Sequence, residues 1–241
     1  MAKLKCLNSS SAGNCFILQC GDERLVLDLG VEWSKIARGL DYNIRNVVGC
    51  LVGHCHFDHS KAIPKALYYC LDVFSCEQVC DKFDGVKLLH QGRKTRIGGF
   101  LVQPLPLKHN VENYGYIITH ADLGKLVFAL DCEEFLYKIR DVNHWIIEAN
   151  HDFDVMLDHA LSNEYSSSHS ENHLSLEQCI SALSTNKSDV LSTIVLAHLS
   201  DENSHADNFV KAVKEEIADC DVYIADSTMD IELKTKICTE N

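Results

Sequence analysis

The chain has 241 residues, of which 46% are hydrophobic, and it carries a formal net charge of −13. This composition excludes an intrinsically disordered chain and predicts one globular domain over residues 1–241 with a substantial core. The sequence has neither a run of about 18 apolar residues nor a secretory signal at its start. We therefore expect a cytoplasmic protein of bacterial type with no membrane partner.

The negative charge is concentrated in the second half of the chain. Residues 1–110 contain 14 Lys and Arg against 10 Asp and Glu, whereas residues 111–241 contain 8 against 25. A protein that grips long nucleic acid usually carries a basic stripe, and none is evident here. The acidic residues are best interpreted as a solvated face, and a long DNA or RNA partner is disfavoured.

The first third of the chain predicts short strands with tight connections. Three strands are expected at Lys3–Cys6, Cys15–Gln19 and Leu25–Leu29. Gly21 and Asp22 form a hairpin turn between the last two of them. The apolar run Asn46–Gly53 is typical of a strand that is buried on both faces, and Pro64 predicts the first turn of a helix after it.

The remainder of the chain alternates strands with helices. Further strands are predicted at Phe100–Leu105, Tyr116–Thr119, Leu126–Leu130, His144–Glu148, Ile194–Leu199 and Val222–Ala225. Helices are expected over Glu133–Arg140, over Leu176–Leu183 with a capping box that begins at Ser175, and over Ala206–Ile217. The polar segment Ser162–Asn172 predicts one exposed loop. This alternation favours a layered α/β domain.

One short segment concentrates potential metal ligands. His54, His56, Asp58 and His59 follow the predicted buried strand directly. Imidazole and carboxylate groups bind zinc and similar divalent metals, and a strand that runs into a sharp loop can point alternate side chains into one cavity. His54 and His56 can then reach one ion, and Asp58 and His59 a second. The alternative is a coincidental histidine cluster in a loop.

This His-x-His-x-Asp-His pattern after a strand resembles the metallo-β-lactamase fold superfamily. That resemblance implies an α/β domain built as an αββα four-layer sandwich, with a dinuclear metal site along one edge. Three further candidate ligands each follow a predicted strand in the superfamily's order. The resemblance implies the following set: His54, His56 and His109 for one ion, Asp58, His59 and His198 for the other, and a bridging Asp131.

The implied cofactors are two divalent ions. Zinc suits the histidine-rich group, and manganese suits the group that contains a carboxylate. Asp28 matches an early superfamily aspartate that supports the site, although it can equally be a strand-end aspartate in a turn. The remaining histidines, among them His144 and His151, match no motif and are expected at the surface.

Two later segments resemble RNase Z-type phosphodiesterases. Ile147-Glu148-Ala149-Asn150 is similar to their Glu-Ala-Thr segment, and His173 is similar to the histidine of their Gly-His-Ser-Thr segment. The resemblance implies that His173 protonates the leaving oxygen and that Glu148 orients it. The motif is imperfect because Asn172 and Asn150 replace its Gly and Thr, so a structural role for His173 stays open. The candidate catalytic residues are Asp58, Glu148 and His173.

The polar loop within Leu7–Cys15 narrows the resemblance further. Together with His173-Leu-Ser175 and the segment from His198 to Asn203, it resembles the YycJ-type subgroup and the anti-Pycsar phosphodiesterases of phages. A loop rich in hydroxyl and amide groups can border a phosphate or the metals. Ser10 and Asn14 are therefore candidate substrate-binding residues, and an ordinary turn is the alternative.

These features together predict a dinuclear metal-dependent phosphodiesterase. The acidic charge favours 3′,5′-cyclic mononucleotides as substrates, which the phage resemblance links to evasion of cyclic-nucleotide immune signalling in an infected host. The alternatives are a YycJ-like 5′–3′ exonuclease on DNA or RNA and a non-enzymatic, metal-stabilised module. The resemblance also implies a homodimer, in which residues 151–172 are a candidate contact or lid.

Overall fold

A computed structural model describes residues 1–153, 155, 172–200 and 203–236. The first of its two sheets has seven strands in these residues, in the order β14-β1-β2-β3-β4-β5-β6. Its strands are β1 (Ala2–Ser10), β2 (Gly13–Cys20), β3 (Glu23–Leu27), β4 (Val47–Leu51), β5 (Val73–Ser75), β6 (Lys87–Leu88) and β14 (Asp230–Leu233). Neighbours from β14 to β3 are antiparallel, whereas those from β3 to β6 are parallel.

The second sheet repeats this arrangement in the order β13-β12-β11-β10-β9-β8-β7. Its described strands are β7 (Thr95–Ile97), β8 (Phe100–Leu107), β9 (Asn113–His120), β10 (Gly124–Ala129), β11 (His144–Glu148), β12 (Thr193–Ala197) and β13 (Asp221–Ile224). Neighbours from β7 to β10 are antiparallel, whereas those from β10 to β13 are parallel. Every strand predicted from the sequence is present. The largest difference is at β1, which continues to Ser10, four residues past its predicted end and into the segment predicted as a polar loop.

Helices cover the outer faces of the two sheets. The described helices are α1 (Trp33–Gly39), α2 (Phe57–Ser60), α3 (Ile63–Tyr68), α4 (Glu77–Lys82), α5 (Leu176–Thr185) and α6 (Ala206–Glu216). Pro64 lies in the first turn of α3, as predicted. The Ser175 hydroxyl accepts a hydrogen bond from the Gln178 main chain, and the Gln178 side chain accepts one from the Ser175 main chain, which confirms the capping box of α5.

Two hydrophobic cores hold these layers together. In the first, between the sheets, the ring of Phe16 on β2 meets the ring of Phe128 on β10 edge-on, with centroids 5.8 Å apart. In the second, α5 and α6 pack on the outer face of the second sheet, where Trp145, Leu183 and Phe209 are buried. Apolar burial on both faces of a sheet is what stabilises a layered α/β domain. The predicted αββα fold class is therefore confirmed.

The predicted helix over Glu133–Arg140 is wrong, because this segment has no regular secondary structure. Its main chain is bonded to other parts of the fold instead. The Glu133 N–H donates to the Lys108 carbonyl, and the Ile139 N–H donates to the Asn186 side chain. The Phe135 ring packs edge-on against Trp145, 5.4 Å away. Tertiary contacts thus satisfy the groups that a helix would have satisfied, and they override local propensity.

Some predictions fall wholly or partly outside the described residues. Most of the predicted loop Ser162–Asn172 and most of the candidate contact or lid at 151–172 lie there. Within the described residues, none of the helices has the length and apolar character needed to cross a bilayer. Among the cysteines, Cys6, Cys15, Cys20 and Cys50 are buried core residues, whereas Cys70 is exposed.

The prediction of a surface position for His144 and His151 is wrong, since both are buried. His144 begins β11 in the middle of the second sheet, and neither of its ring nitrogens makes a hydrogen bond of normal geometry among the described residues. Burial lowers the pKa of His144 to about 4, against a smaller opposing effect of the Leu123 main chain. The native protein therefore holds this imidazole neutral.

We expect His144→Leu to make the protein more tolerant of acid. The unfolded imidazole takes up a proton near pH 6.5 and the folded one only near pH 4, so stability is lost as pH falls through that window. Between pH 7 and pH 4, the wild type should lose about 3 kcal/mol more unfolding free energy than the variant, measured by urea denaturation. His90→Leu, at an exposed position, is the matched control. Parallel losses in wild type and His144→Leu would contradict the prediction.

Candidate metal centre

The carboxyl ends of the parallel strands meet along one edge of the sandwich, and the candidate ligands follow those ends. His54 comes after β4, Asp131 after β10 and His198 after β12. Such an edge is where open α/β sheets usually place their binding sites. All seven predicted ligands lie in two clusters that share Asp131: His54, His56, His109 and Asp131 in one, and Asp58, His59, His198 and Asp131 in the other.

The main chain at this edge adopts an uncommon conformation. Asp28, Asp131 and His198 have φ angles of +59°, +53° and +54°. These angles lie in the left-handed region, which residues other than glycine seldom adopt. Each of them lies just past the end of a parallel strand. The change to a positive φ angle breaks the alternation of side chains between the two faces of the sheet and directs these side chains into the cleft. Backbone strain of this kind concentrates at functional sites.

The first cluster brings three imidazoles together. The His54 Nε2 atom lies 2.9 Å from His56 Nδ1, and His109 Nε2 lies 3.4 Å from the same atom. Burial lowers the pKa values of all three rings. The neutral imidazole is the form that binds a metal, and three nitrogens that converge in this way suit a cation between them.

The second cluster is richer in negative charge. His59 Nε2 lies 3.2 Å from Asp58 Oδ2 and 3.1 Å from Asp131 Oδ2, and His198 Nε2 lies 3.7 Å from Asp58 Oδ2. Burial lowers the pKa of His198, but Asp131, Asp58 and Glu148 together outweigh it and raise the pKa to about 10. These carboxylates attract positive charge, and a divalent cation and protons compete for the same place.

Three of the imidazoles are oriented by an acceptor on the other ring nitrogen. His59 Nδ1 lies 2.7 Å from Asp28 Oδ2, and His198 Nδ1 lies 2.9 Å from Glu148 Oε1. His109 Nδ1 lies 3.2 Å from the carbonyl oxygen of Asn172. An Nδ1–H that donates to such an acceptor fixes the tautomer and leaves Nε2 free to bind a metal. Asp28 thus has the supporting position expected from the sequence.

Glu148 and His173 form the predicted pair. Glu148 is completely buried, and its Oε1 atom lies 2.6 Å from His173 Nδ1. The other oxygen, Oε2, accepts hydrogen bonds from the main-chain N–H groups of Cys132 and Leu174. Burial lowers the pKa of His173, but the Glu148 carboxylate outweighs it and raises the pKa above the ordinary value. Glu148 therefore orients His173 and His198 at once, a double role that its motif does not predict.

A pocket of about 290 Å³ opens above the two clusters. It is lined by Ser11, His56, Asp58, His109, Asn110, Asp131, Asn172, His173 and His198. Three of these residues, Ser11, Asn110 and Asn172, were not predicted from the sequence as parts of the site. Each is adjacent in sequence to a residue that was predicted, so adjacency was the available signal. Their amide and hydroxyl groups can hydrogen-bond a polar ligand.

The two predicted substrate-binding residues lie in the β1–β2 hairpin. Asn14 is fully buried, and its Nδ2 atom lies 3.4 Å from Asp58 Oδ2 and 3.1 Å from His59 Nε2. Ser10 accepts hydrogen bonds from Asn8 and from the main chain of Ala12, within the β1–β2 turn. Neither residue lines the pocket. The β1–β2 hairpin therefore borders the ligands, which Asn14 contacts directly, and a contact of Ser10 or Asn14 with a substrate stays a prediction.

Gly30 shows how tightly the start of β2 packs against the ligand segment. A Cβ atom at Gly30 would lie 1.5 Å from the Asp58 carbonyl oxygen, and the Gly30 N–H donates to the Asn14 carbonyl. Only glycine permits this approach of two main chains. The main chain at Gly30 thus contacts both Asp58 and Asn14 and keeps these two residues next to each other.

The donor set fits two divalent ions that share Asp131. The Asp131 Oδ1 and His198 Nε2 atoms are buried and lack a hydrogen-bond partner within the described residues. Buried polar atoms without partners are costly, and a cation between the ligand groups would satisfy them. Asp131 is the one ligand common to both clusters, so it has the bridging position expected of it.

We predict two metal ions per chain, with Asp131 needed for both. Asp131→Ala should lose both ions and the activity, and His54→Ala should lose at least the ion of the first cluster, because the remaining donors no longer enclose it. Elemental analysis of the purified variants gives the metal content directly. The exposed His90→Ala is the control and should retain both ions. Fully active protein with one ion or none would refute the dinuclear assignment.

Comparison with known proteins finds weak sequence similarity to bacterial exodeoxyribonucleases. The chain is 24% identical to exodeoxyribonuclease YycJ of Bacillus anthracis, over 62% of this chain and 63% of that protein. It is 22% identical to exodeoxyribonuclease WalJ of Streptococcus pneumoniae, over 84% of this chain and 83% of that protein. The chain thus spans slightly less than two thirds of YycJ. No family model matches the sequence.

Solved structures share the architecture along almost the whole chain. The metallo-β-lactamase fold protein YhfI from Bacillus subtilis superposes with a TM-score of 0.74 at 16% identity, covering 96% of this chain and 100% of that one. The short form of human tRNase Z superposes with a TM-score of 0.69 at 13% identity, covering 96% and 99%. A diphosphatase of the PhnP family superposes with a TM-score of 0.66 at 13% identity, covering 98% of this chain and 99% of that one.

The sequence comparisons and the superpositions support the same class of protein as the geometry of the site. The similar proteins that are named for an activity include exodeoxyribonucleases, a tRNase Z and a diphosphatase, which supports the prediction of a hydrolytic enzyme. The sequence similarity to YycJ and WalJ agrees with the predicted RNase Z/YycJ-like branch. With two mixed sheets, helices on both outer faces and a His/Asp cluster at one edge, the chain has the metallo-β-lactamase fold.

Proposed function

We propose that the protein is a metal-dependent phosphodiesterase that hydrolyses nucleotide phosphodiesters. The observation that carries this proposal is the Glu148–His173 pair beside the two ligand clusters, with His173 and the clusters lining one pocket. An ester of a weakly acidic alcohol needs a proton at its leaving oxygen, and lactones or thioesters need this help less. A dedicated proton donor in the pocket therefore favours phosphodiesters.

Two divalent cations, when bound, supply Lewis-acid catalysis that activates water and offsets the charge of the transition state. The residues of the chain then position the substrate and the proton. Glu148 occupies His173 Nδ1, so the second ring nitrogen, Nε2, is the one that can face a substrate in the pocket. The raised pKa of His173 favours the protonated ring, which is the form that can donate to the leaving oxygen.

Two substrate classes satisfy this mechanism. The net charge of −13 and the small pocket favour a 3′,5′-cyclic mononucleotide, as the phage resemblance also suggests. The similarity to proteins named exodeoxyribonucleases favours the end of a DNA or RNA strand. The two classes differ in what has to be bound outside the pocket, because only a strand extends beyond it.

We expect His173→Ala to fold, to keep its metals and to lose the chemical step. For a nucleotide phosphodiester the loss should be roughly 10²–10⁴-fold in kcat, the usual contribution of a positioned acid. For bis(4-nitrophenyl) phosphate the loss should be much smaller, because nitrophenolate departs without a proton.

Steady-state kinetics on both esters, with elemental analysis of the variant, checks this prediction. Ser11→Ala is a useful comparison, since it alters the pocket without touching the proton donor and should affect both esters alike. An equal loss of His173→Ala on the two esters would mean that His173 only positions the substrate.

A turnover screen with zinc and with manganese tests the proposed function as a whole. The substrates are 3′,5′-cyclic nucleotides, single-stranded DNA, single-stranded RNA and bis(4-nitrophenyl) phosphate. We expect hydrolysis of the nitrophenyl ester and of one nucleotide class. If fully metallated protein turned over none of them, the proposal would fail, and a non-enzymatic, metal-stabilised module would be the better description.

A further inference from the structure

The surface formed by α1, α2 and α3 exposes an unusual number of aromatic rings beside lysines. Phe57 is 68% exposed, Tyr68 is 74% exposed and Tyr69 is 43% exposed. Large apolar side chains that cluster on a surface usually mark an interaction site. We call this surface the aromatic–lysine face, and it consists of Trp33, Phe57, Lys61, Lys65, Tyr68 and Tyr69.

Direct contacts join Trp33, Lys65, Tyr68 and Tyr69 into one continuous part of this face. The rings of Trp33 and Tyr69 stack with centroids 5.0 Å apart and planes 15° apart, although they come from different helical segments. Tyr68 meets Tyr69 edge-on at 5.2 Å, and the Lys65 Nζ atom lies 5.5 Å from the centre of the Tyr68 ring. An ammonium over a ring is attracted to its π-face.

Lys61 and Phe57 extend the face to the segment that carries the metal ligands. Lys61 Nζ lies 5.2 Å from the centre of the Phe57 ring and 2.7 Å from Glu32, the residue before Trp33. Phe57 itself stands between His56 and Asp58, both of which line the pocket. The face therefore begins at the rim of the pocket and continues along α3, whose six residues span about 9 Å.

We propose that the aromatic–lysine face binds the single-stranded part of a nucleic acid whose scissile phosphodiester lies in the pocket. This inference rests on the proposed phosphodiesterase function and selects the strand as its substrate class. Aromatic rings stack on bases of any sequence, and lysines neutralise the phosphates between them. A ligand that reaches both the pocket and Tyr68 must be longer than one nucleotide.

The local charge supports a polyanionic occupant even though the whole chain is acidic. The charged side chains on and beside this face are Lys61, Lys65, Glu32 and Asp58. Glu32 pairs with Lys61 and Asp58 belongs to the ligand cluster, so Lys65 is the cation of this group without an ion pair among the described residues. Lys82 adds a cation nearby, because its Nζ atom donates to the carbonyl of Cys55 between His54 and His56. A second copy of the chain is a poorer occupant, since a two-fold contact through this face would bring its lysines together.

Matched tyrosine variants test the face. Tyr68 and Tyr42 are both 74% exposed, but Tyr42 lies in the turn after α1, and no ring or cation–π contact joins it to the aromatic–lysine face among the described residues. Asparagine tolerates the left-handed conformation that Tyr42 adopts, so the same substitution can be made at both positions. The readout is fluorescence anisotropy of a short phosphorothioate oligodeoxythymidylate with metal-loaded protein, and bis(4-nitrophenyl) phosphate hydrolysis monitors the pocket.

We expect Tyr68→Asn to weaken strand binding at least fivefold, the low end of what one stacked base contributes, while Tyr42→Asn changes it less than about twofold. Lys65→Gln should reduce the slope of log affinity against log salt by roughly 0.7, the value for one phosphate contact on a single strand. Equal affinities of the two tyrosine variants would overturn the proposal. So would a Tyr68→Asn protein that changes only its oligomeric state in sedimentation, because the face would then be a contact between copies.

The failure of this inference can be told apart from failure of the proposed function. Wild-type protein that hydrolyses the nitrophenyl ester or a cyclic nucleotide but binds no strand would overturn the face and leave the phosphodiesterase proposal standing. Protein that hydrolyses no phosphodiester would overturn the enzyme proposal, and the strand affinities of the Tyr68 and Tyr42 variants would still decide for or against the face.

Discussion

The buried Asp131 carboxylate is the group on which the rest of the site depends. Its oxygens lie within 4 Å of ring nitrogens from five imidazoles: His54, His59, His109, His173 and His198. So many polar groups can share a buried space only if positive charge lies among them. Protons supply that charge at low pH, and two divalent cations supply it where the imidazoles are neutral. The ligand geometry, the pocket and the proposed chemistry all follow from this constraint.

The fold meets the constraint by bringing the parallel strands of both sheets to one edge. Side chains that follow β4, β10 and β12 project into the same cleft, and left-handed main chain at Asp131 and His198 directs them there. Two buried carboxylates then orient metal ligands through the Nδ1 atoms of their rings: Asp28 is bonded to His59, and Glu148 to His198. Because Glu148 also holds His173, the proposed proton donor and a metal ligand share one anchor, and their positions are coupled.

Charge has to be considered at two scales in this protein. The net charge of −13 describes the whole surface, and it favours a small substrate when it is the only information. A ligand at the metal centre meets a smaller region, where Lys61 and Lys65 accompany the exposed rings of α2 and α3. Screening limits the reach of the distant acidic residues to about 10 Å at moderate salt, so the local arrangement decides what the cleft attracts.

The sequence by itself determined what depends on short-range patterns. Short apolar runs with tight connections predicted the strands, Ser175 and Gln178 predicted the start of α5, and the spacing from His54 to His59 predicted the ligand segment. Each of these is a property of neighbouring residues. A metal site formed by one such segment can therefore be recognised before the fold is known.

Only the tertiary structure decided the features that join distant residues. The segment Glu133–Arg140 is irregular because its main-chain groups find partners on Lys108 and Asn186. Asn14 is buried against Asp58 and His59 at the start of β2, although its segment has the composition of an exposed turn. Trp33 and Tyr69 stack across 36 positions of sequence. Contacts of this kind depend on how the layers pack, and no local pattern in the chain encodes them.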